Sequence, residues 1–373
     1  MKTACLRIAA GALVLSSSVH CSAPTAPVER VSDDGTSYVP AEQWRTASPA
    51  AVGLDPSRIR KLESNVASGR YGAVQGLVVV RFGYVALEQY VGWSRDQLHT
   101  MQSVSKSVTS LMFGIASNGG TSSDLQLDRP LVDILARYTP IANLDDRKRA
   151  LTLRHLLSMR TNMDFWEHPY AGSPLEELNR SRGDWTQFVL DRPMLETPGT
   201  SWGYNSGAAI ITCSVLRETT GESPVVFARR ELFHPIGVTT ATWYVSAFDS
   251  LPHCGGGLLL KPVDLARVGY LVLRHGRWGD RQVVPAAWID ASTGPVTTGP
   301  TVFFSGYGSG YGYFWWTFPT SRGGHDAGII AASGSGDQWL FIIPSLDLVV
   351  AVVANTADVL GLLYDELLPA VMP

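Results

Sequence analysis

Ser103 and Lys106 stand three residues apart in Met101-Gln102-Ser103-Val104-Ser105-Lys106-Ser107. On a helix this spacing puts both side chains on one face, where they can meet. A serine hydroxyl beside a deprotonated amine is an activated nucleophile. Lysine suits that role because burial lowers the pKa of an ammonium, whereas a guanidinium keeps its proton. The chain uses lysine only at positions 2, 61, 106, 148 and 261 and arginine almost everywhere else. The bland alternative is a lysine that snorkels from its helix to solvent.

Two further stretches carry polar chemistry. Trp202-Gly203-Tyr204-Asn205-Ser206-Gly207 places a tyrosine in a turn before a helix. Tyr204 can shuttle a proton if nearby cations lower its pKa; a core tyrosine with a satisfied hydroxyl is the alternative. Ala331-Ala332-Ser333-Gly334-Ser335-Gly336-Asp337 reads as a strand of small residues, which lets a ligand approach the backbone closely. An N–H at that strand end, paired with the N–H of Ser103, would form an oxyanion hole. Ser206, Ser335 and Tyr170 are the candidate substrate contacts. Trp166, Tyr170, Trp185 and Trp316 crowd the motif loops and serve equally as pocket walls or core.

Ser103-x-x-Lys106, Tyr204-Asn205-Ser206 and the small strand at Ser333-Gly334 together resemble the serine β-lactamase and penicillin-binding superfamily. Flanking stretches resemble its 6-aminohexanoate-dimer hydrolase branch and class C β-lactamase-like esterases. These are Leu153-Arg154-His155-Leu156-Leu157, Pro198-Gly199 ahead of Tyr204, Pro285-Ala286-Ala287-Trp288 and Asp347-Leu348-Val349-Val350. The resemblance runs from about residue 50 to the end. It implies Ser103 as nucleophile, Lys106 as base and Tyr204 as proton donor to the leaving group, with a small-molecule ester or amide as substrate and no cofactor. Two departures stand out. Ser206 replaces the asparagine of Tyr-x-Asn, and Ala332-Ser333-Gly334 replaces Lys-Thr-Gly. Without the strand lysine, a β-lactam carboxylate lacks its charge-assisted partner. The expectation is therefore a hydrolase of neutral esters or linear amides. A class C-type β-lactamase is the first alternative, and a non-catalytic ligand-binding protein on the same fold the second.

Other classes fit poorly. The net charge is −3 and no Lys/Arg run exists, so a nucleic-acid partner is not expected. The eight histidines are scattered without a His-x-x-x-His pair or a Cys cluster, so no metal is expected. Gly199-Thr200-Ser201-Trp202-Gly203 matches Gly-x-Ser-x-Gly, but Glu196-Thr197-Pro198 ahead of it is not the buried strand that a nucleophile elbow needs.

The elements that must position these residues follow from periodicity. Met101, Val104, Val108, Leu111, Met112 and Ile115 recur at helical spacing, and Ser103, Lys106, Ser107, Ser110 and Gly114 form a second stripe of mostly small residues. A helix that can be packed on most sides belongs in the centre. Residues 76–81 and 84–90 read as a hairpin around Phe82-Gly83, and residues 339–343 and 348–354 as another. Between them the chain reads as mainly helical, including a helix capped by Thr152 and one from 208 to 220 ending at Gly221. Residues 254–257, Cys-Gly-Gly-Gly, read as flexible or tightly turned. The fold class is α/β of the α+β type. An antiparallel sheet comes from the N- and C-terminal strands and is flanked by helices, with a largely helical insert at about 125–255, as in β-lactamase-like folds.

Residues 1–23 read as a signal peptide: basic to Arg7, then apolar and small from 8 to 19, too short to span a membrane. Two processing readings stand, a lipid-bearing Cys21 that would tether the protein to a membrane, and cleavage after Ala23. Residues 24–49 read as a flexible segment and 50–373 as the hydrolase domain. The expected location is periplasmic or secreted, with or without the lipid anchor. Of the four cysteines, Cys213 and Cys254 lie in the domain; buried free thiols are the expectation and a disulfide the alternative.

Overall fold

Leu77, Val78, Val79 and Val80, and the run from Leu348 through Val353, are 0–1% exposed. Unbroken apolar runs of this length suit strands covered on both faces. The computed structural model, which describes residue 40 and residues 43–119, 125–298, 304, 307, 309–324 and 326–372, places both runs in the middle of one sheet. Its strands are β1 (Gly72–Arg81), β2 (Tyr84–Tyr90), β3 (Thr297–Thr298), β4 (Gly310–Tyr311), β5 (Trp316–Phe318), β6 (Ile329–Gly334), β7 (Gln338–Ile343) and β8 (Leu348–Ala357). Among the described residues they pair antiparallel in the order β2-β1-β8-β7-β6-β5-β4-β3. One line of register crosses the sheet through Val79, Val350, Phe341, Ala331 and Trp316. The sheet is thus made from the two ends of the domain, and residues 125–255 between them are mainly helical.

The central helix α1 (Val104–Ala116) is buried from Val104 to Gly114. Its small polar residues are tied to the loops around it. Ser107 Oγ donates to Phe314 O at 2.6 Å, and Leu258 N donates to Ser105 Oγ at 3.0 Å. At Gly114 the partner is closest: a Cβ there would sit 2.1 Å from Trp288 Cδ1. Beside it lies α2 (Ser206–Thr220), capped by the Asn205 side chain and ended by Gly221 at φ 72°. The turn Leu153–Leu157 is capped by Thr152 in a reciprocal pair with His155. On the sheet lies α3 (Pro262–Leu273), where a Cβ on Gly269 would sit 2.6 Å from Val349 Cγ1.

Two sequence expectations change here. Cys213 and Cys254 form a disulfide, with Cα atoms 6.2 Å apart, rather than two free thiols. They are 41 residues apart, and packing of α2 beside residues 254–257 brings them together, which no local pattern encodes. The flexible segment does not reach residue 49: Trp44 is 5% exposed and donates to Gly83 O at 2.7 Å. Residues 1–39, including the signal peptide and both processing sites, lie outside the described residues.

The Gly114–Trp288 contact sets a stability test. Gly114→Ala is expected to destabilise the fold by about 1–3 kcal/mol through overpacking, read from denaturant midpoints. An unchanged midpoint would mean that Trp288 yields freely.

Candidate active site

Gln102 precedes the nucleophile candidate in the left-handed region, at φ 47°. For a residue other than glycine this conformation costs about 1–2 kcal/mol. It turns the chain sharply from the short strand His99–Thr100 into α1, and Ser103 becomes the helix N-cap. Ser103 does not cap the helix with its own side chain, so its hydroxyl is available to the cavity.

Lys106 sits one turn on. Its Nζ lies 2.9 Å from Ser103 Oγ and 2.6 Å from Gly255 O, and 4.7 Å from the centre of the Tyr204 ring. The side chain is 1% exposed, so the snorkelling alternative is excluded. Burial lowers the amine's pKa to about 8, while the carboxylate of Glu167 works in the opposite direction. Close to neutral pH the amine is therefore divided between its charged and neutral forms.

Tyr204 lies in the turn before α2, its ring stacked on Trp316 at 6.1 Å between centroids. The Ser103 side chain is close enough to its hydroxyl to favour the phenolate. The expectation of a cation-lowered pKa is reversed. Burial, reinforced by the charge of Glu167, pushes the phenol well above its ordinary value, and only the neighbouring Ser103 side chain works against this. Tyr204 is thus a neutral phenol, a group that gives a proton and takes one back rather than resting as an anion.

The other predicted contacts also border one cavity of about 800 Å³, lined by Ser103, Tyr204, Ser206, Ser335 and Tyr170 among others. Ser206 is the first residue of α2 and is 3% exposed; its N–H donates to Glu167 Oε1. Tyr170 is 47% exposed at the rim. Trp185 and Trp316 line the cavity too, whereas the exposed Trp166 is not among its lining residues. The small-residue strand β6 runs against the turn at Ser103: a Cβ on Gly334 would lie 2.4 Å from Met101 O and 3.1 Å from Ser103 N. Ser201 of the Gly-x-Ser-x-Gly match is in a loop, with its hydroxyl donated to Glu196 at 2.9 Å.

Three residues were missed by sequence reasoning. Glu167 is a lone acid in an aromatic loop, Gly255 contributes only its carbonyl, and His253 has no ligand-like spacing. No local pattern marks any of them.

A family model described as Beta-lactamase matches residues 60–362. The curated proteins searched contain no match. Similar solved structures include a candidate 6-aminohexanoate-dimer hydrolase from Bacillus anthracis, 18% identical with a TM-score of 0.65, the match covering 84% of this chain and 82% of that one. EstCE1, a hydrolase with promiscuous acyltransferase activity, is 18% identical with a TM-score of 0.65, over 84% of this chain and 96% of its own. A D-stereospecific amidohydrolase from Streptomyces sp. is 16% identical with a TM-score of 0.64, over 83% and 98% respectively. These likenesses establish the fold.

The amine's position generates a pH test. The proton-accepting form of Lys106 is the neutral one, so its fraction grows as pH rises through about 8. Labelling of Ser103 by a fluorophosphonate is expected to follow that rise and level off above it. Lys106→Arg should label about a hundredfold more slowly or worse at every pH. A flat wild-type profile would remove Lys106 from the role of base.

Proposed function

The chain belongs to the β-lactamase family, and within it we propose a serine hydrolase that cleaves a neutral ester or a linear amide through an acyl-enzyme on Ser103. The observation that carries this reading is the buried Lys106 amine 2.9 Å from Ser103 Oγ, with the Tyr204 ring centre 4.7 Å from the same amine. Neutral Lys106 takes the Ser103 proton as Oγ attacks the acyl carbon. The N–H groups of Ser103 and Ser335 take the oxyanion. Tyr204 protonates the departing oxygen or nitrogen, and the proton held by Lys106 replaces the one Tyr204 gives. Water then cleaves the Ser103 ester by the reverse relay, which restores the free hydroxyl.

Substrate charge is the finer part of the proposal. Among the described residues lining the cavity, Glu167 and Asp337 are acidic and none is Lys or Arg. A carboxylate there meets repulsion, and it forfeits a charge-assisted hydrogen bond of about 1.5–3 kcal/mol. That favours neutral acyl groups over β-lactams. Export belongs to the same proposal, supported by the basic and apolar N-terminus and by the disulfide, a bond that persists in oxidising compartments.

Two outcomes are expected. Short p-nitrophenyl esters should be turned over with higher kcat/KM than nitrocefin, and Ser103→Ala should abolish both reactions; a nitrocefin kcat/KM above that of p-nitrophenyl butyrate would restore the β-lactamase reading. Tyr204→Phe should lose about 10²-fold or more in kcat, and a near-normal rate would take Tyr204 out of the proton relay.

A further inference from the structure

The glycine turn that serves Lys106 is held from outside itself. Gly256 and Gly257 donate their N–H groups to His253 O at 3.1 and 2.7 Å, so residues 253–257 close into one compact unit. Glycine leaves the backbone free to swing, so the run Gly255-Gly256-Gly257 fixes little beyond that closure. What places the unit is its two ends. At the far end, Leu258 N donates to Ser105 Oγ at 3.0 Å, and the strand Leu258–Leu260 pairs with His99–Thr100 on one side and Thr242–Trp243 on the other. At the near end stands Cys254. Its carbonyl accepts from Thr109 Oγ1 at 3.3 Å, but that hydroxyl also donates to Ser105 O at 2.9 Å and has a single hydrogen to share. The covalent tie to Cys213 is the firm anchor.

The other side of the tie is rigid. Cys213 lies on α2, which is buried from Ser206 to Leu216, and both cysteines are fully buried. A close-packed helix of this kind has little room to shift. Two thiols cannot approach as closely as two bonded sulfurs. Without the bond, the glycine turn rather than the helix is the part that yields.

The atom that would move with it is Gly255 O, next in the chain. It accepts from Lys106 Nζ at 2.6 Å, and Ser103 Oγ at 2.9 Å is the other hydrogen-bond partner of that nitrogen among the described residues. The neutral amine has hydrogens to donate and one lone pair. With a hydrogen fixed on Gly255 O, the lone pair is free to face the Ser103 hydroxyl.

We propose that the Cys213–Cys254 bond positions the base: it pins the Gly255 carbonyl on Lys106, and so aims the amine at Ser103. Because α2 begins just after Tyr204, the same bond sets the base and the proton donor in one frame. The two cysteines touch no reacting atom and are positioning residues. This role deepens the hydrolase reading and rests on it for the parts played by Ser103, Lys106 and Tyr204.

The test compares the wild type with three forms that lack the bond. These are Cys213→Ala/Cys254→Ala, the bulkier Cys213→Val/Cys254→Ala, and the wild type refolded in dithiothreitol, which gives up two electrons and two protons to turn the disulfide into two thiols. Each form is first shown to be folded by near-ultraviolet circular dichroism. Labelling of Ser103 by a fluorophosphonate is then read well above pH 8, where Lys106 is neutral. The plateau rate is expected to fall about tenfold to a hundredfold in every form without the bond, the scale of loss for a group misplaced by about 1 Å. It should recover when the refolded wild type is reoxidised. In hydrolysis of p-nitrophenyl butyrate, kcat should fall by a similar factor while KM stays within about twofold. A bond that only staples the fold would lower the denaturant midpoint and leave the plateau and kcat unchanged, and that result overturns the proposal. So does failure of all three forms to fold, which assigns the bond to the fold as a whole. Slower labelling without the bond, when no form turns over the ester, would sink the hydrolase reading and leave the positioning role standing; full ester turnover by a folded form without the bond would do the reverse.

Discussion

Removing one amine from water is the constraint on which the site depends. A charged Lys106 in bulk solvent would hold its proton and leave Ser103 an ordinary alcohol. The fold desolvates it by placing α1 where neighbours reach it on every side, which the small stripe from Ser107 to Gly114 permits. Burial alone would carry the pKa further down. The charge of Glu167 holds it back, and the Gly255 carbonyl accepts from the same amine at 2.6 Å. At about 8 the amine can both take a proton and give one up near neutral pH. The same desolvation acts with opposite sign on Tyr204, where it keeps the proton on. A single dry pocket thus yields a weak base and a weak acid side by side.

What the sequence made legible is what depends on local period. The central helix was visible because two stripes, one apolar and one small, leave it no wet face. The sheet's origin in both ends of the domain was visible from runs such as Leu348 to Val353, too apolar for any exposed strand. Thr152 and Gly221 marked their helix ends by ordinary capping chemistry. The pair Ser103 and Lys106 was legible because one turn of helix fixes their distance. Residues brought together by tertiary packing were not legible. Cys213 and Cys254 meet only when α2 settles beside the glycine loop. Glu167 reaches Ser206 from a loop with no period of its own. The direction of the Tyr204 shift was misjudged for a related reason. A nearby cation is a local guess, whereas burial is a property of the finished fold, and burial prevails.

The cavity's charge belongs to the same pattern of distant contributions. Asp337 comes from the turn after β6 and Glu167 from the helical region, on opposite sides of Tyr204 in the chain. Neither acid has a nearby lysine or arginine in the sequence to signal an unmatched charge. Only the fold brings these two acids, far apart in the chain, to the lining of one cavity.

The pairing of β1 with β8 has a consequence for how the chain is made. Val79 pairs in register with Val350, so the middle of the sheet joins residues from opposite ends of the domain. During synthesis β1 emerges early and has only β2 beside it until the last strands follow. Its other edge, rich in valine, stays unpaired meanwhile, which is the hazard of any open apolar strand. The active-site turn is laid down in that interval too, since Ser103 and Gly334 stand against each other only once β6 is in place. The surroundings of Ser103 are therefore assembled late, when nearly the whole domain has left the ribosome. A chain cut short before β6 carries every residue of the Ser-Lys-Tyr trio and none of the strand that closes on it.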